Sequence, residues 1–493
     1  MLIRHEHLTG ATTDLTGWFP HDLVIDGIQR HASSGDRFDV TNPATGERIA
    51  SVASATVEDG LDAVRAAERA LPSWRARPPR ERAEILRKAF ELMTARGEDL
   101  ARLIVLENGK SLADARGEIA YAAEFFRWYS EEAVRLLGTL QRSPNGQNRI
   151  LVSHQPIGVS VLVTPWNFPA AMATRKIAPA LAAGCTVILK PASDTPLTAQ
   201  AIGELLSQAG VPPGVVNVLP SRKAGPVVSA MLNDPAVRKL SFTGSTEVGR
   251  ILLENASHTV VNCSMELGGN APFLVFDDAN LDDAVDGAMI AKMRNGGEAC
   301  TAANRFYVHA TVATEFAERL AARMRGLRMG DGLEESVQLG PLINQEARIK
   351  VNDLVTAARE AGATALTGGT QDEGIGFFYP PTVLVNVSSD SPILGEEIFG
   401  PVAPIVTFDT DDEAVRLANH TDFGLVAYLY TSDLARGLAI SERLESGMIG
   451  LNRGLVSDPA APFGGFKQSG LGREGGHEGM LEFTESQYIA VSW

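Results

Sequence analysis

Gly158-Val159-Ser160-Val161-Leu162-Val163, followed by Thr164-Pro165-Trp166-Asn167-Phe168-Pro169 and the small-residue run 170–183, marks a change of rhythm in the chain. The first six residues read as an apolar strand and the run after Pro169 as a helix. The same alternation then repeats. Cys185-Thr186-Val187-Ile188-Leu189, Val215-Val216-Asn217-Val218-Leu219 and the stretch Val237 to Phe242 read as strands, and 196–209, 224–233 and 245–255 as helices. Strands alternating with helices of about 10–15 residues imply right-handed βαβ crossovers and a parallel sheet. Such a sheet takes ligands at the carboxyl ends of its strands, an architecture of nucleotide-binding type.

Upstream, 59–72, 80–96 and 112–135 read as helices. Ile85, Leu86, Ala89, Leu92 and Met93 mark one buried face, and Phe125, Phe126 and Trp128 supply bulk. Downstream, a second α/β series runs from Ala271 to about Leu451. Its clearest strands are Phe273–Phe276, Arg305–Val308 and Pro404–Phe408, with helices predicted over 280–293, 311–326, 347–361 and 434–446. The glycine-rich tail 463–493 ends in Ile489-Ala490-Val491-Ser492-Trp493, which is expected to add a strand to a neighbouring subunit.

At 493 residues the chain is long enough for two or three domains. Its 44% hydrophobic and 21% charged residues are those of an ordinary globular protein. No run approaches the ~20 apolar residues of a membrane helix. Met1 to Pro20 lacks an apolar signal core, which predicts a cytoplasmic protein. A net charge of −16 argues against nucleic acid or an anionic membrane as partner. The three cysteines, Cys185, Cys263 and Cys300, have no C-x-x-C spacing, so neither a disulfide framework nor a metal site is expected. Cys185 and Cys263 lie in apolar strand-like runs and read as core residues.

Cys300 is different. It closes Arg294-Asn295-Gly296-Gly297-Glu298-Ala299-Cys300, a glycine-rich turn that can present a thiol as nucleophile. Glu266, in Met265-Glu266-Leu267-Gly268-Gly269-Asn270, is an acid in apolar, glycine-rich surroundings and can activate water. Asn167 follows the strand at Gly158 and can donate an amide N–H to a developing oxyanion, though a turn asparagine would look the same. Lys190 follows another strand and is placed to meet a ribose or phosphate. Phe242-Thr243-Gly244-Ser245-Thr246 is a strand, turn and helix start whose backbone and Ser245 can hold a pyrophosphate oxygen, or merely cap the helix. It is neither a G-x-G-x-x-G nor a Walker loop.

Over essentially its whole length the chain resembles the aldehyde dehydrogenase superfamily. Seven motifs fall in the family's order: Thr164–Pro169, Lys190–Ala192, Phe242–Gly249, Glu266–Gly269, Cys300, Glu397-Ile398-Phe399-Gly400-Pro401 and Pro462-Phe463-Gly464-Gly465. The resemblance implies an α/β fold with a parallel-sheet NAD(P)-binding domain, an α/β catalytic domain and a small oligomerisation extension. These would occupy 1–130 with 150–263, then 264–452, then 131–149 with 470–493. It also implies NAD(P)-dependent oxidation of an aldehyde in a dimer or tetramer. Cys300 would add to the carbonyl, with the oxyanion held by Asn167 and the Cys300 backbone N–H. Hydride transfer would leave a thioester, hydrolysed with Glu266 as base. Trp166, Lys190, Ser245, Glu397 and Phe399 would contact the cofactor, together with the Gly244 turn. Glu298 departs from the glutamine common at its position and could influence the thiol's pKa, a role the sequence leaves open.

Within the superfamily the chain looks most like succinate-semialdehyde dehydrogenases. The positions matching Arg175, Arg294 and Ser457 would bind the substrate carboxylate, since guanidinium groups pair with carboxylates in bidentate fashion; a structural ion pair is the other use of such arginines. Ala302 stands where several relatives carry a second cysteine, so no redox disulfide at that position is expected. Ser193 stands where NAD-preferring relatives often have glutamate. It therefore favours NADP, with Lys190 and Arg222 near the 2′-phosphate, and leaves NAD possible. The competing readings are glutarate semialdehyde or an aromatic aldehyde as substrate, coenzyme A as acyl acceptor, and a silent scaffold. Intact Asn167, Glu266, Cys300 and Glu397 argue against the last, Glu266 against coenzyme A, and the lack of a histidine motif against a cysteine hydrolase.

Overall fold

The computed structural model describes residues 16–371 and 374–492. Residues 1–15 of the stretch Met1–Pro20, and Trp493 at the other end, therefore lie outside the described residues. Two large sheets and a small one carry the fold.

The first sheet has eight strands, five of them parallel: Val159–Val163, Thr186–Lys190, Val216–Val218, Val237–Thr243 and Asn262–Glu266. In space they run third, second, first, fourth, fifth, so the winding reverses between the strands ending at Val163 and Thr243. Ligand crevices open at that reversal in doubly wound sheets. Val159–Val163 and Thr186–Lys190 are buried at every position, because helices cover both faces. Those helices, Pro169–Ala183, Pro196–Ala209, Ala224–Leu232 and Thr246–Ser257, fall within two residues of the sequence reading.

Two edges extend this sheet beyond the sequence expectation. Leu23–Ile25 pairs with Val216–Val218, and the two-residue strand Gly470–Leu471 pairs antiparallel with Met265 and Glu266. Gly470 has φ +148°, and a Cβ there would sit 1.9 Å from the Met265 carbonyl oxygen, so only glycine permits the pairing. The sheet thus runs through Glu266 and includes 470–471.

The second sheet has seven strands centred on Ala271–Val275 and Ala303–His309, flanked by Val402–Phe408 and Val426–Tyr430. The helix expected over 434–446 is Leu434–Ser441; Arg443 and Leu444 instead bond back three residues in tight turns. A third sheet orders Thr484–Val491, Arg149–Pro156 and Thr139–Arg142 antiparallel. Residues 150–156 therefore belong to this small sheet and not to the first. The C-terminal strand, expected to reach a neighbour, pairs along its whole length with Arg149–Pro156 of its own chain and keeps its other edge open.

Four helices pack around the first sheet: Val57–Arg75, Pro79–Ala95, Gly97–Asn108 and Leu112–Glu132. Trp74, Phe125, Phe126 and Tyr129 are their largest buried side chains. Trp128 and Leu92 are only partly buried. Among the described residues no helix is long and apolar enough to cross a membrane, and no cluster of metal-ligating side chains occurs.

Candidate active site

Register brings the carboxyl ends of four parallel strands into one row. Val163 pairs with Lys190 and with Phe242, and Thr243 pairs with Glu266. The segments leaving these ends carry Asn167, Ser193, Gly244 with Ser245, and Glu266. The second sheet approaches the same row with Cys300 and Glu397. A cavity of about 270 Å³ between them is lined by Trp166, Asn167, Gly244, Ser245, Cys300, Glu397 and Phe399, among others.

Cys300 follows a tight turn, Arg294–Gly297, in which Asn295, Gly296 and Gly297 all have positive φ. At Gly297 a Cβ would lie 2.2 Å from the Gly400 carbonyl oxygen, so this glycine lets the nucleophile turn meet the loop bearing Glu397 and Phe399. The thiol is partly exposed. Burial pushes it up to about 12, with Arg175 and Arg294 pulling the other way and the Glu397 and Glu266 carboxylates adding to the rise. The resting thiol is therefore protonated at neutral pH.

Asn167 is fixed at both ends of its amide. Its Oδ1 accepts from the Phe168 backbone N–H at 3.1 Å, and its Nδ2 donates to the Glu298 carbonyl at 3.1 Å. One Nδ2 hydrogen is left for another acceptor. The Cys300 backbone N–H also has no acceptor among the described residues.

Glu266 is 2% exposed, and its Oε2 has no hydrogen-bond partner. Burial and the neighbouring Glu474 carboxylate hold its carboxyl well above the usual range, against Arg175, Lys176 and Arg473. Glu474 goes the other way and is held ionised: despite burial, Arg175 at 2.5 Å and Lys176 stabilise its charge. Lys176 also donates to Ser241 Oγ at 3.0 Å. Once ionised, a buried carboxyl with a free oxygen beside a compensated ion cluster is a strong proton acceptor for a water that reaches it.

Around the cavity, the Trp166 and Phe399 rings meet edge to face at 5.5 Å. Glu397 Oε1 accepts from the Gly269 backbone N–H at 3.0 Å, and burial raises its carboxyl to about 7. Ser245 caps the helix Thr246–Ser257, its Oγ accepting from Val248 N at 3.4 Å. Lys190, 6% exposed, is lowered to about 8 by burial. Ser193 is half-buried and Arg222 exposed on the neighbouring strand ends. These groups fit a dinucleotide. The Gly244–Ser245 turn offers a helix N-terminus to phosphate, Glu397 a ribose acceptor, and Trp166 with Phe399 apolar walls.

The three residues expected to grip a carboxylate are placed differently from one another. Arg175 is 1% exposed, paired with Glu474 and stacked over Phe463 at 4.2 Å. Arg294 is half-buried, lies 4.8 Å over the Phe168 ring, and has no ion pair among the described residues. Ser457 is half-buried on the segment after Met448–Leu451 and forms no hydrogen bond among the described residues.

The aldehyde dehydrogenase family model matches residues 30–489. The chain belongs to the aldehyde dehydrogenase family. A succinate-semialdehyde dehydrogenase of Paenarthrobacter nicotinovorans is 57% identical over 90% of this chain and 99% of its own length. A glutarate-semialdehyde dehydrogenase of Pseudomonas putida is 48% identical over 96% of this chain and 98% of its own. The crystal structure of an Escherichia coli NADP-dependent enzyme superposes with a TM-score of 0.95 at 48% identity, covering 97% of this chain and 99% of that one. The α/β fold expected from sequence is thus the fold of an aldehyde dehydrogenase.

Two sequence expectations need correction. Glu298 does not point its charge at the thiol: its Oε1 accepts from the Ile343 backbone N–H at 3.1 Å, and burial raises its carboxyl to about 8, so it is neutral at pH 7. Cys263 is only partly buried, near the end of the first sheet, whereas Cys185 is fully buried. The sequence reading missed Lys176 and Glu474 as chemistry, and also Lys110 and Asn295. Lys176 directly follows Arg175 in the chain, but its partner Glu474 is 298 residues away, and no local pattern reveals such a pair.

Proposed function

We propose that this aldehyde dehydrogenase oxidises succinate semialdehyde to succinate, with NADP as the preferred acceptor. The observation that carries the substrate assignment is Arg294. Its half-buried guanidinium is held on an aromatic face, forms no ion pair among the described residues, and acts electrostatically on Cys300. An anionic tail four carbons from end to end would let Arg294 take its carboxylate while the aldehyde carbon sits at Cys300 Sγ. Arg175 lends positive potential to the thiol, but its charge is already paired with Glu474 through Nε. The names of the similar proteins, both acting on ω-carboxyl aldehydes, support this class of substrate.

Cys300 Sγ gives up its proton to solvent and forms the bond to the aldehyde carbon, and the carbonyl π pair moves onto the oxygen. The free Asn167 N–H and the Cys300 backbone N–H meet the oxygen that gains charge, where fixed donors are worth most. Bound NAD(P) supplies the acceptor for the hydrogen and two electrons that leave the aldehyde carbon. Glu266 then takes a proton from water, whose oxygen replaces Cys300 Sγ on the acyl carbon. Lys190, Gly244, Ser245, Glu397, Trp166 and Phe399 would hold the cofactor, and Ser193 would spare a 2′-phosphate the repulsion of a carboxylate. Exposed Tyr488, Ile489 and Leu140 on the small sheet, with the free edge of Thr484–Val491, support a homo-oligomer of two or four subunits.

Glutarate semialdehyde, one carbon longer, is the second reading, favoured by the Pseudomonas relative. Measuring kcat/KM for succinate semialdehyde, glutarate semialdehyde, propanal and benzaldehyde with each cofactor separates these. The expected order puts succinate semialdehyde first and NADP above NAD. A faster neutral aldehyde would overturn the substrate assignment, and a strong NAD preference the cofactor assignment.

A further inference from the structure

A second buried charge pair adjoins Asn167. Lys110 stands between the helices Gly97–Asn108 and Leu112–Glu132, with its side chain 1% exposed. Its Nζ donates to Glu118 Oε2 at 2.6 Å and to the main-chain carbonyl of Asn167 at 2.7 Å. The ammonium also sits 4.2 Å over the Phe168 ring. Glu118 uses its other oxygen to accept from the backbone N–H groups of Ala170 and Ala171 at 2.8 and 3.3 Å, the first turn of the helix that follows Asn167.

The same carbonyl of Asn167 receives a second donor. Asn295 Nδ2 reaches it at 3.0 Å and reaches the Glu298 carbonyl at 3.0 Å as well. Asn295 adopts φ +53°, a conformation asparagine tolerates better than most residues, and its backbone N–H donates to Asp114 Oδ2 at 3.2 Å. Asp114 and Glu118 are one turn apart on Leu112–Glu132, so a single helix face braces both the nucleophile turn and the oxyanion loop.

We infer that Lys110 and Asn295 are positioning residues for catalysis: together they clamp the Asn167 carbonyl and thereby aim the Asn167 amide at the substrate oxygen. Neither touches substrate. A hydrogen-bonded carbonyl cannot rotate its peptide without breaking both bonds, and the Asn167 Cα, and hence its side chain, turns with that peptide. An oxyanion donor works only if it is in place before charge develops, so the value of the clamp lies in preorganisation. The inference rests on the assignment of Asn167 as oxyanion donor.

The test is a double-mutant cycle on the full-length enzyme. Lys110→Met combined with Glu118→Gln removes the ammonium without stranding a buried carboxylate, and Asn295→Gly removes the other donor while keeping the left-handed backbone. Each is made alone and with Asn167→Ala, and kcat and KM are read with succinate semialdehyde and NADP. We expect kcat to fall about 10–100-fold in either clamp variant with KM within about threefold, and this loss to vanish in the Asn167→Ala background. An equal loss in that background, or no loss in the native one, would overturn the clamp. Should the neutral pair fail to fold, Asn295→Gly alone decides by the same criterion. If Asn167→Ala itself leaves kcat unchanged, the oxyanion assignment fails instead, which distinguishes that failure from failure of the clamp.

Discussion

Glu298 illustrates how burial sets the behaviour of single residues in this site. Its carboxyl, raised to about 8 by burial, keeps a proton in the native state that the unfolded chain loses near the ordinary value of 4.5. Between those two values the native state binds more protons, so this group makes stability fall as pH rises, by at most about 1.4 kcal/mol per pH unit. Glu298→Gln keeps the acceptor for Ile343 and removes the slope. Urea unfolding should show the variant gaining on the native protein from pH 4.5 to about 8 and levelling above, with activity retained at pH 7. A difference independent of pH would contradict a proton held by Glu298. The two arginines separate in the same way. Arg175→Met leaves the buried Glu474 carboxylate with Lys176 as its cationic partner beside Glu266 and should cost about 1–3 kcal/mol of unfolding free energy. Arg294→Met breaks no ion pair and should cost about 1 kcal/mol or less, while lowering kcat/KM for succinate semialdehyde far more than for propanal. Equal effects on both aldehydes would remove Arg294 from substrate recognition.

At the scale of elements, the edge strand Gly470–Leu471 holds the strand that ends in Glu266. Gly470→Ala would drive a Cβ into the Met265 carbonyl, so it should lower Tm by several degrees and reduce kcat through displacement of Glu266; unchanged kcat would show that Glu266 is positioned from the other side alone. This strand was not legible in the sequence, because two residues carry no periodic signal. The central βαβ units were legible, because strands such as Val159–Val163 are almost wholly apolar, and three of their four helices begin at Pro or after a Ser cap, two of them ending at Gly. The helix Gly97–Asn108 escaped for two reasons. Arg96 before it offers no capping side chain, and Leu100, Ala101, Leu103, Ile104 and Val105 are buried nearly all round, which blurs the helical period.

Across the whole molecule the site is assembled from three places: the strand ends of the first sheet, the nucleophile turn of the second, and the helix face of Asp114 and Glu118. The residues that contact reacting atoms were legible because they sit in contiguous motifs. Those that hold them were not. Lys110 meets Asn167 57 residues away, Arg175 and Lys176 meet Glu474 about 300 away, and no local pattern in one sequence reports such contacts. The same division explains why Arg175 and Arg294 looked equivalent in sequence and differ in place: only the fold brings Glu474 to one of them. The proposed chemistry centres on a thioester formed at Cys300 and released through Glu266. Its most direct test is peptide mass spectrometry of Glu266→Gln enzyme mixed with succinate semialdehyde and NADP. A succinyl group on the Cys300 peptide, absent from Cys300→Ala, is the expected result. An adduct elsewhere, or NADPH formation by Cys300→Ala at the native rate, would contradict it.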